Sequence, residues 1–226
     1  MTTQTIKTVA GEIPSPSNWA NDGFFSEDCG CDEPSSVLFL EKAAPTATID
    51  GKVSIKDITK ALDEYKRLFK AGVGSPGELL TLSRVYPENR EYAEAIRKQK
   101  ISDDDKLVIG GPASIELVDR EGHLITMKAL DKAFDKYMDN FRTRNAMVLH
   151  SDVQVGWALP AYVSKSGQIF KSGVNGNGLF FITELRNDTK IAKKVAEQIH
   201  SGKLKSYSIA GSAIKTQNIQ KGLQDV

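Results

Sequence analysis

Between Ser54 and Gly72 the apolar residues Ile55, Ile58, Ala61, Leu62, Tyr65, Leu68 and Phe69 recur at three- and four-residue spacing among Lys, Asp, Glu and Arg. That period marks one face of an amphipathic helix, which Gly72 and Gly74 end. A second helix is predicted after Ser75-Pro76, carrying Leu79, Leu80 and Leu82 up to the break at Pro87. A third follows in ENREYAEAIRKQK, whose many charges suit a solvated face. Beyond Lys106 the pattern shifts towards strands. LVIGGPASIELVD (107–119) and HLITM (123–127) read as strands either side of a DREG turn. KALDKAFDKYMDNFR (128–142) is an amphipathic helix with Ala129, Leu130, Ala133, Phe134, Tyr137, Met138 and Phe141 inward. AMVLH (146–150) is a short apolar strand, and VGWALPAYVS (155–164) another, its proline suggesting an edge or bulge. NGNG (175–178) is a hairpin turn into the strand LFFITEL. Asp188 is the expected N-cap of the helix TKIAKKVAEQIH, closed by Gly202, and LKSYSIAGSAIK (204–215) is a final strand.

These elements divide the 226 residues into a loose segment over 1–50, a helical extension over 51–104 and a β-rich α+β domain over 105–226. Residues 1–36 are rich in Ser, Pro, Gly, Asn and Asp, so we expect them to be partly disordered or partner-dependent. Trp19, Phe24 and Phe25 are their anchoring residues, and VLFL (37–40) is a candidate strand. The segment is acidic, with Glu12, Asp22, Glu27, Asp28, Asp32, Glu33, Glu41 and Asp50 against Lys7 and Lys42.

A net charge of +1 gives no reason to expect nucleic-acid recognition. No apolar run reaches the roughly 18 residues that span a bilayer, and the N-terminus lacks a basic-then-apolar signal. We therefore expect no membrane partner and a cytoplasmic setting. The two cysteines, Cys29 and Cys31, stand one residue apart, a spacing that suits neither a redox motif nor a zinc knuckle. No metal and no cofactor is expected.

Serine chemistry needs a nucleophile, a base and oxyanion donors. His200 falls in the last turn of a helix, where its charge suits the dipole, and His123 follows a turn glycine. His150 ends an apolar strand, where either a structural or a catalytic role fits. Strand alternation puts Ser206, Ser208 and Ser212 on one face. There is no GxSxG elbow, and NGNG precedes a strand, unlike a phosphate loop. Asp152 shares a strand face with His150 without pointing at it. Local chemistry alone leaves a soluble α+β domain without a role.

The order of the pieces adds more. GPASIELVDREGHLITMKALDKAF, AMVLHSDVQVGWALPAYV and GLFFITELRNDTKIAKKVAEQIHSGKLKSYSIAGSA resemble the three successive blocks of phage prohead maturation proteases. That family is related in fold to the herpesvirus assembly protease. The resemblance covers about half the chain. It implies a β-rich fold, an antiparallel barrel-like sheet with connecting helices. It also implies a serine endopeptidase that cuts scaffold protein, capsid protein and itself during capsid maturation. The family's nucleophile falls on Ser208 and its histidine on His150, 58 residues apart, with Ser206 the alternative nucleophile. The implied partners are the major capsid and scaffold proteins, with possible self-association. The implied setting is the host cytoplasm, inside the prohead or virion. The third triad member of the family lies on a strand beyond the nucleophile. Only 18 residues follow Ser208, and Asp225 is the sole acid among them. The third member is therefore unassigned: it lies beyond Val226, or the site is a dyad, or the chain is a structural virion or scaffold-associated protein with an inactive protease-like fold. The resemblance says nothing of residues 1–104.

Overall fold

The computed structural model describes residues 38–39, 53–102, 108–119, 123–142, 144–149, 151–175, 178–211 and 216. Apart from Leu38–Phe39, the acidic N-terminal segment, with Trp19, Phe24, Phe25, Cys29 and Cys31, lies outside the described residues. So do His150, Ser212 and Asp225. Phe25–Ser208 form one compact unit. Residues 1–24 group with 209–226 in a second, of which only 209–211 and 216 are described.

The helical region forms as the periodicity predicts. A 3-10 turn, Ile55–Ile58, runs into α1 (Thr59–Lys70), which buries Ala61, Leu62, Tyr65 and Leu68. α2 (Pro76–Val85) has Pro76 in its first turn and Ser75 as N-cap, in a capping box with Glu78. α3 (Arg90–Lys98) is capped by Asn89 and buries only Tyr92, leaving its charges in water.

Among the described residues there are eight strands, all paired antiparallel: β1 (Leu38–Phe39), which precedes the helices, and β2 (Val108–Ile115), β3 (Asn145–Met147), β4 (Gln154–Ala158), β5 (Ala161–Val163), β6 (Ile169–Lys171), β7 (Gly173–Asn175) and β8 (Gly178–Leu185), which follow them. The main sheet runs β1-β2-β8-β4-β3, with β7 also on β8, while β5 and β6 form a separate pair. The α+β class therefore holds. The expected barrel-like closure is not made among the described residues. β1 and β3, two and three residues long, are the open edges.

β8 organises the core by alternation. Phe180 and Ile182 pack with Val108, Leu159, Tyr162 and Phe170. A second cluster joins Ile58, Ala61, Leu62, Tyr65, Leu79, Leu82 and Tyr92 to Ala161 and Val163 of β5. The helices read as an extension thus share a core with the strands. The Tyr65 hydroxyl donates to the Ala161 carbonyl at 2.6 Å and accepts from its N–H at 3.1 Å.

Several elements differ from expectation. VGWALPAYVS is two strands, because the chain leaves the main sheet at Leu159-Pro160 and enters the β5–β6 pair. Buried Ser172 holds the crossing: its Oγ donates to the Leu159 carbonyl at 2.6 Å and accepts from the Ile182 N–H at 2.9 Å. HLITM is no strand. The Thr126 hydroxyl accepts from the Ala129 N–H and starts α4 (Met127–Met138), so capping overrides β propensity. Of the residues expected inward on α4, only Leu130 is buried; Phe134, Tyr137, Met138 and Phe141 are half-buried and Ala129 and Ala133 exposed. The last helix, α5 (Lys190–His200), is capped by Thr189, one residue later than predicted. Asp188 instead pairs with Arg186 through two bonds, at 2.8 and 2.6 Å. Gly202, at φ +73°, closes α5 as predicted. The NGNG hairpin joins β7 to β8, with Asn175 opposite Gly178. A glycine is required at 156, where a Cβ would lie 2.2 Å from the Glu184 carbonyl oxygen in the neighbouring strand.

Candidate functional site

Ser208 lies on the segment that leaves α5. The Lys203 and Leu204 N–H groups both donate to the Gln198 carbonyl, turning the chain off the helix end. The predicted strand is not formed over 204–211, and the rest of it lies outside the described residues. β2 and β8 already have neighbours on both sides. The segment is tied to the sheet by a side chain instead of a backbone ladder. The Tyr207 hydroxyl donates to the Ile109 carbonyl at 3.3 Å, and its ring meets Phe181 edge-on at 5.5 Å. Burial pushes the Tyr207 phenol well above its ordinary range. Ser206 and Ser208 are exposed on either side of half-buried Tyr207, so the predicted alternation of faces survives without the ladder.

The strand leading to His150 ends at Met147, earlier than the predicted residue 150. Val148 is buried and begins a tight turn. Its N–H donates to the Val153 carbonyl at 3.1 Å, and its carbonyl accepts from the Ser151 N–H at 2.9 Å and Oγ at 2.6 Å. Leu149, immediately before His150, is left-handed at φ +50°. Such a conformation is unusual for a bulky residue and is typical of functional loops held by their surroundings. Asp152 is exposed in the same turn. The other histidines serve their own elements: the His123 N–H donates to Asp119 Oδ1 at 2.7 Å, and His200 Nδ1 lies 2.7 Å from the Ala196 carbonyl at the end of α5.

A buried polar cluster beneath the opposite face escaped the sequence reading. Glu184 of β8 is 1% exposed. Its carboxylate accepts from Ser75 Oγ at 2.5 Å, the Gly77 N–H at 3.0 Å and Trp157 Nε1 at 3.0 Å. It therefore caps the N-terminus of α2 from the sheet, where the helix dipole favours negative charge. Glu78 accepts from the Ser75 N–H at 2.9 Å. Arg144, also 1% exposed, pairs with Glu64, while its Nε and Nη1 have no hydrogen-bond partner among the described residues. Burial raises Glu184 and lifts Glu78 to about 7, reinforced by the charges of Glu184 and Glu64 and opposed by Ser75 and Arg144. With both carboxyls closed to solvent, we read this cluster as the clasp between α2 and the sheet. Among the described residues no group of three His, Cys, Asp or Glu is placed to hold a metal ion. No helix there is long and apolar enough to cross a membrane.

No known protein family, curated protein or solved structure matches the chain.

The clasp has a pH signature. Because folding raises the pKa of Glu78, the folded state binds more protons than the unfolded one between 4.5 and about 7. Stability from this group is thus full below 4.5 and is lost as pH rises through about 7. The loss amounts to about 3 kcal/mol at the usual conversion per pKa unit. Glu78→Gln keeps the acceptor for Ser75 and removes the titration. Its urea-unfolding free energy is expected to exceed wild type at pH 8 and to converge with it near pH 4.5. A difference independent of pH would contradict this origin.

Proposed function

We propose that this chain is a serine endopeptidase of virus capsid assembly, with Ser208 as nucleophile and His150 as its base. The observation that carries the reading is the ordered set of three blocks ending in Ser208. Of the elements those blocks imply, β2, α4, β3, β4, β8 and α5 occur in that order, whereas the second strand of the first block and the serine-bearing strand do not form. In this reading His150 takes the Ser208 proton, Ser208 attacks the scissile carbonyl, and water hydrolyses the acyl-enzyme. The fold is of the herpesvirus assembly protease type. The substrates are scaffold protein, capsid protein and the chain itself, cut inside the prohead in the host cytoplasm.

One observation favours a second reading, a structural virion protein with an inactive protease-like fold. Residues 204–211 carry Ser208 without a strand ladder, a looser support than a nucleophile usually has. A serine-directed fluorophosphonate separates the two. The first reading predicts a covalent adduct mapped to Ser208, absent from Ser208→Ala and at least about 100-fold slower to form in His150→Ala. Wild type that forms no adduct at Ser208 supports the second.

A further inference from the structure

We infer that the outer edge of β2, at residues 109–110, is a strand-addition site for extended apolar polypeptide. The chain's own residues Leu38–Phe39 hold that edge until a substrate takes their place. The link of this edge to catalysis rests on the Ser208 reading; the strand site itself does not.

β8 pairs along one side of β2, from Val108 opposite Glu184 to Ile115 opposite Gly178. On the other side the described partner is β1, antiparallel, with Leu38 opposite Gly110 and Phe39 opposite Ile109. β1 is itself the end of the sheet. The edge it uses is short. Pro112 has no N–H to offer, and the register shifts between Pro112 and Ser114. Residues 108–111, before that break, are buried, and those after it are exposed or half-buried. Gly110 and Gly111 belong to the buried part, and glycines inside a strand mark places where another backbone comes close.

The occupant is replaceable. β1 is two residues long, and so short a pair is marginal by itself. Residues 40–52 lie between it and the next described residue, Val53, so holding it also costs loop-closure entropy. A tethered segment of this kind competes at an effective concentration of roughly millimolar, which excludes weak peptides and yields to stronger ones. Extended peptides add to sheet edges through main-chain bonds, with alternate side chains giving selectivity. The sequence at β1 reads VLFL, apolar and strand-prone, and it sets the class of peptide. The edge also lies beside the proposed nucleophile. Ile109, opposite Phe39, accepts the Tyr207 hydroxyl through its carbonyl at 3.3 Å, and Ser208 is the next residue in the chain. A substrate strand seated where β1 sits therefore passes close to Ser208.

The test uses the full chain and a fluorescein-labelled peptide of residues 34–44, PSSVLFLEKAA, read by fluorescence anisotropy. In the chain, the double substitution Leu38→Pro/Phe39→Pro removes both N–H donors of β1 and frees the edge. That variant is expected to bind the peptide at least about 10-fold more tightly than wild type does. A peptide carrying the same two prolines is expected to bind neither chain. Saturating the variant with the parent peptide is expected to slow fluorophosphonate labelling at Ser208 at least about threefold. If the variant shows no folded urea transition, Leu38→Gly/Phe39→Gly takes its place, since it only raises the cost of ordering the strand. Equal affinity of both chains, binding to neither, or equal binding of the proline peptide overturns the strand site. Binding that leaves labelling unchanged overturns its link to catalysis. If wild type forms no adduct at Ser208, the protease reading fails, and the anisotropy comparison still decides the strand site.

Discussion

Glu184→Ala is expected to cost the domain about 3–5 kcal/mol, because it breaks a buried hydrogen-bond network. Three donors would be stranded in a site that is closed to water: the Ser75 hydroxyl, the Gly77 N–H and the Trp157 indole N–H. Each buried donor left unpaired costs about 1–3 kcal/mol. Relief of the Glu184 desolvation offsets part of this, which keeps the total below the simple sum. Glu184→Gln should be milder. Its amide oxygen still serves Gly77, but its NH2 faces Trp157 Nε1, donor against donor. Urea unfolding monitored by far-UV circular dichroism checks the order wild type, Gln, Ala. An alanine variant within about 0.5 kcal/mol of wild type would show that α2 is not clasped through this carboxylate.

That clasp marks where the sequence stopped being legible. Helices α1 to α3 were readable because their apolar spacing and their capping residues, such as Ser75 with Glu78 three residues on, agree with each other. The NGNG hairpin was readable for the same local reason. Glu184 reads in sequence only as an acid near the end of the strand LFFITEL. Its partners at 75 and 77 arrive from more than a hundred residues away, and no local period encodes that. A lone carboxylate in the otherwise apolar strand GLFFITEL was the available signal; in the structure the other seven positions are buried at six. The split of VGWALPAYVS was half visible: Pro160 announced an irregularity, but only Ser172 shows that the chain changes sheets there. The predicted alternation holds over 206–210, while Leu204 and Lys205 break it and no ladder forms. Period two reports which side chains face inward, and Tyr207 satisfies it by docking its ring on Phe181 without strand pairing. In the candidate site the sequence named Ser208 and His150.

The second large effect concerns activity. Ser208→Ala and His150→Ala are each expected to reduce peptide-bond cleavage by on the order of 10⁴–10⁶-fold, as for nucleophile and base acting as a unit. The double variant should be little worse than either single one, since removing one member already disables the other. Ser208→Ala should leave the protein folded, because Ser208 is exposed. Ser206→Ala, at the neighbouring exposed position, should retain cleavage. A loss there with Ser208→Ala still active would move the nucleophile by one strand repeat.

The most direct measurement is co-expression of the full chain with capsid and scaffold proteins as the proposed substrates, with fragments identified by mass spectrometry. The protease account predicts discrete cleavage products in wild type and Ser206→Ala, and intact proteins with Ser208→Ala or His150→Ala. Unchanged processing in both of those variants would contradict it.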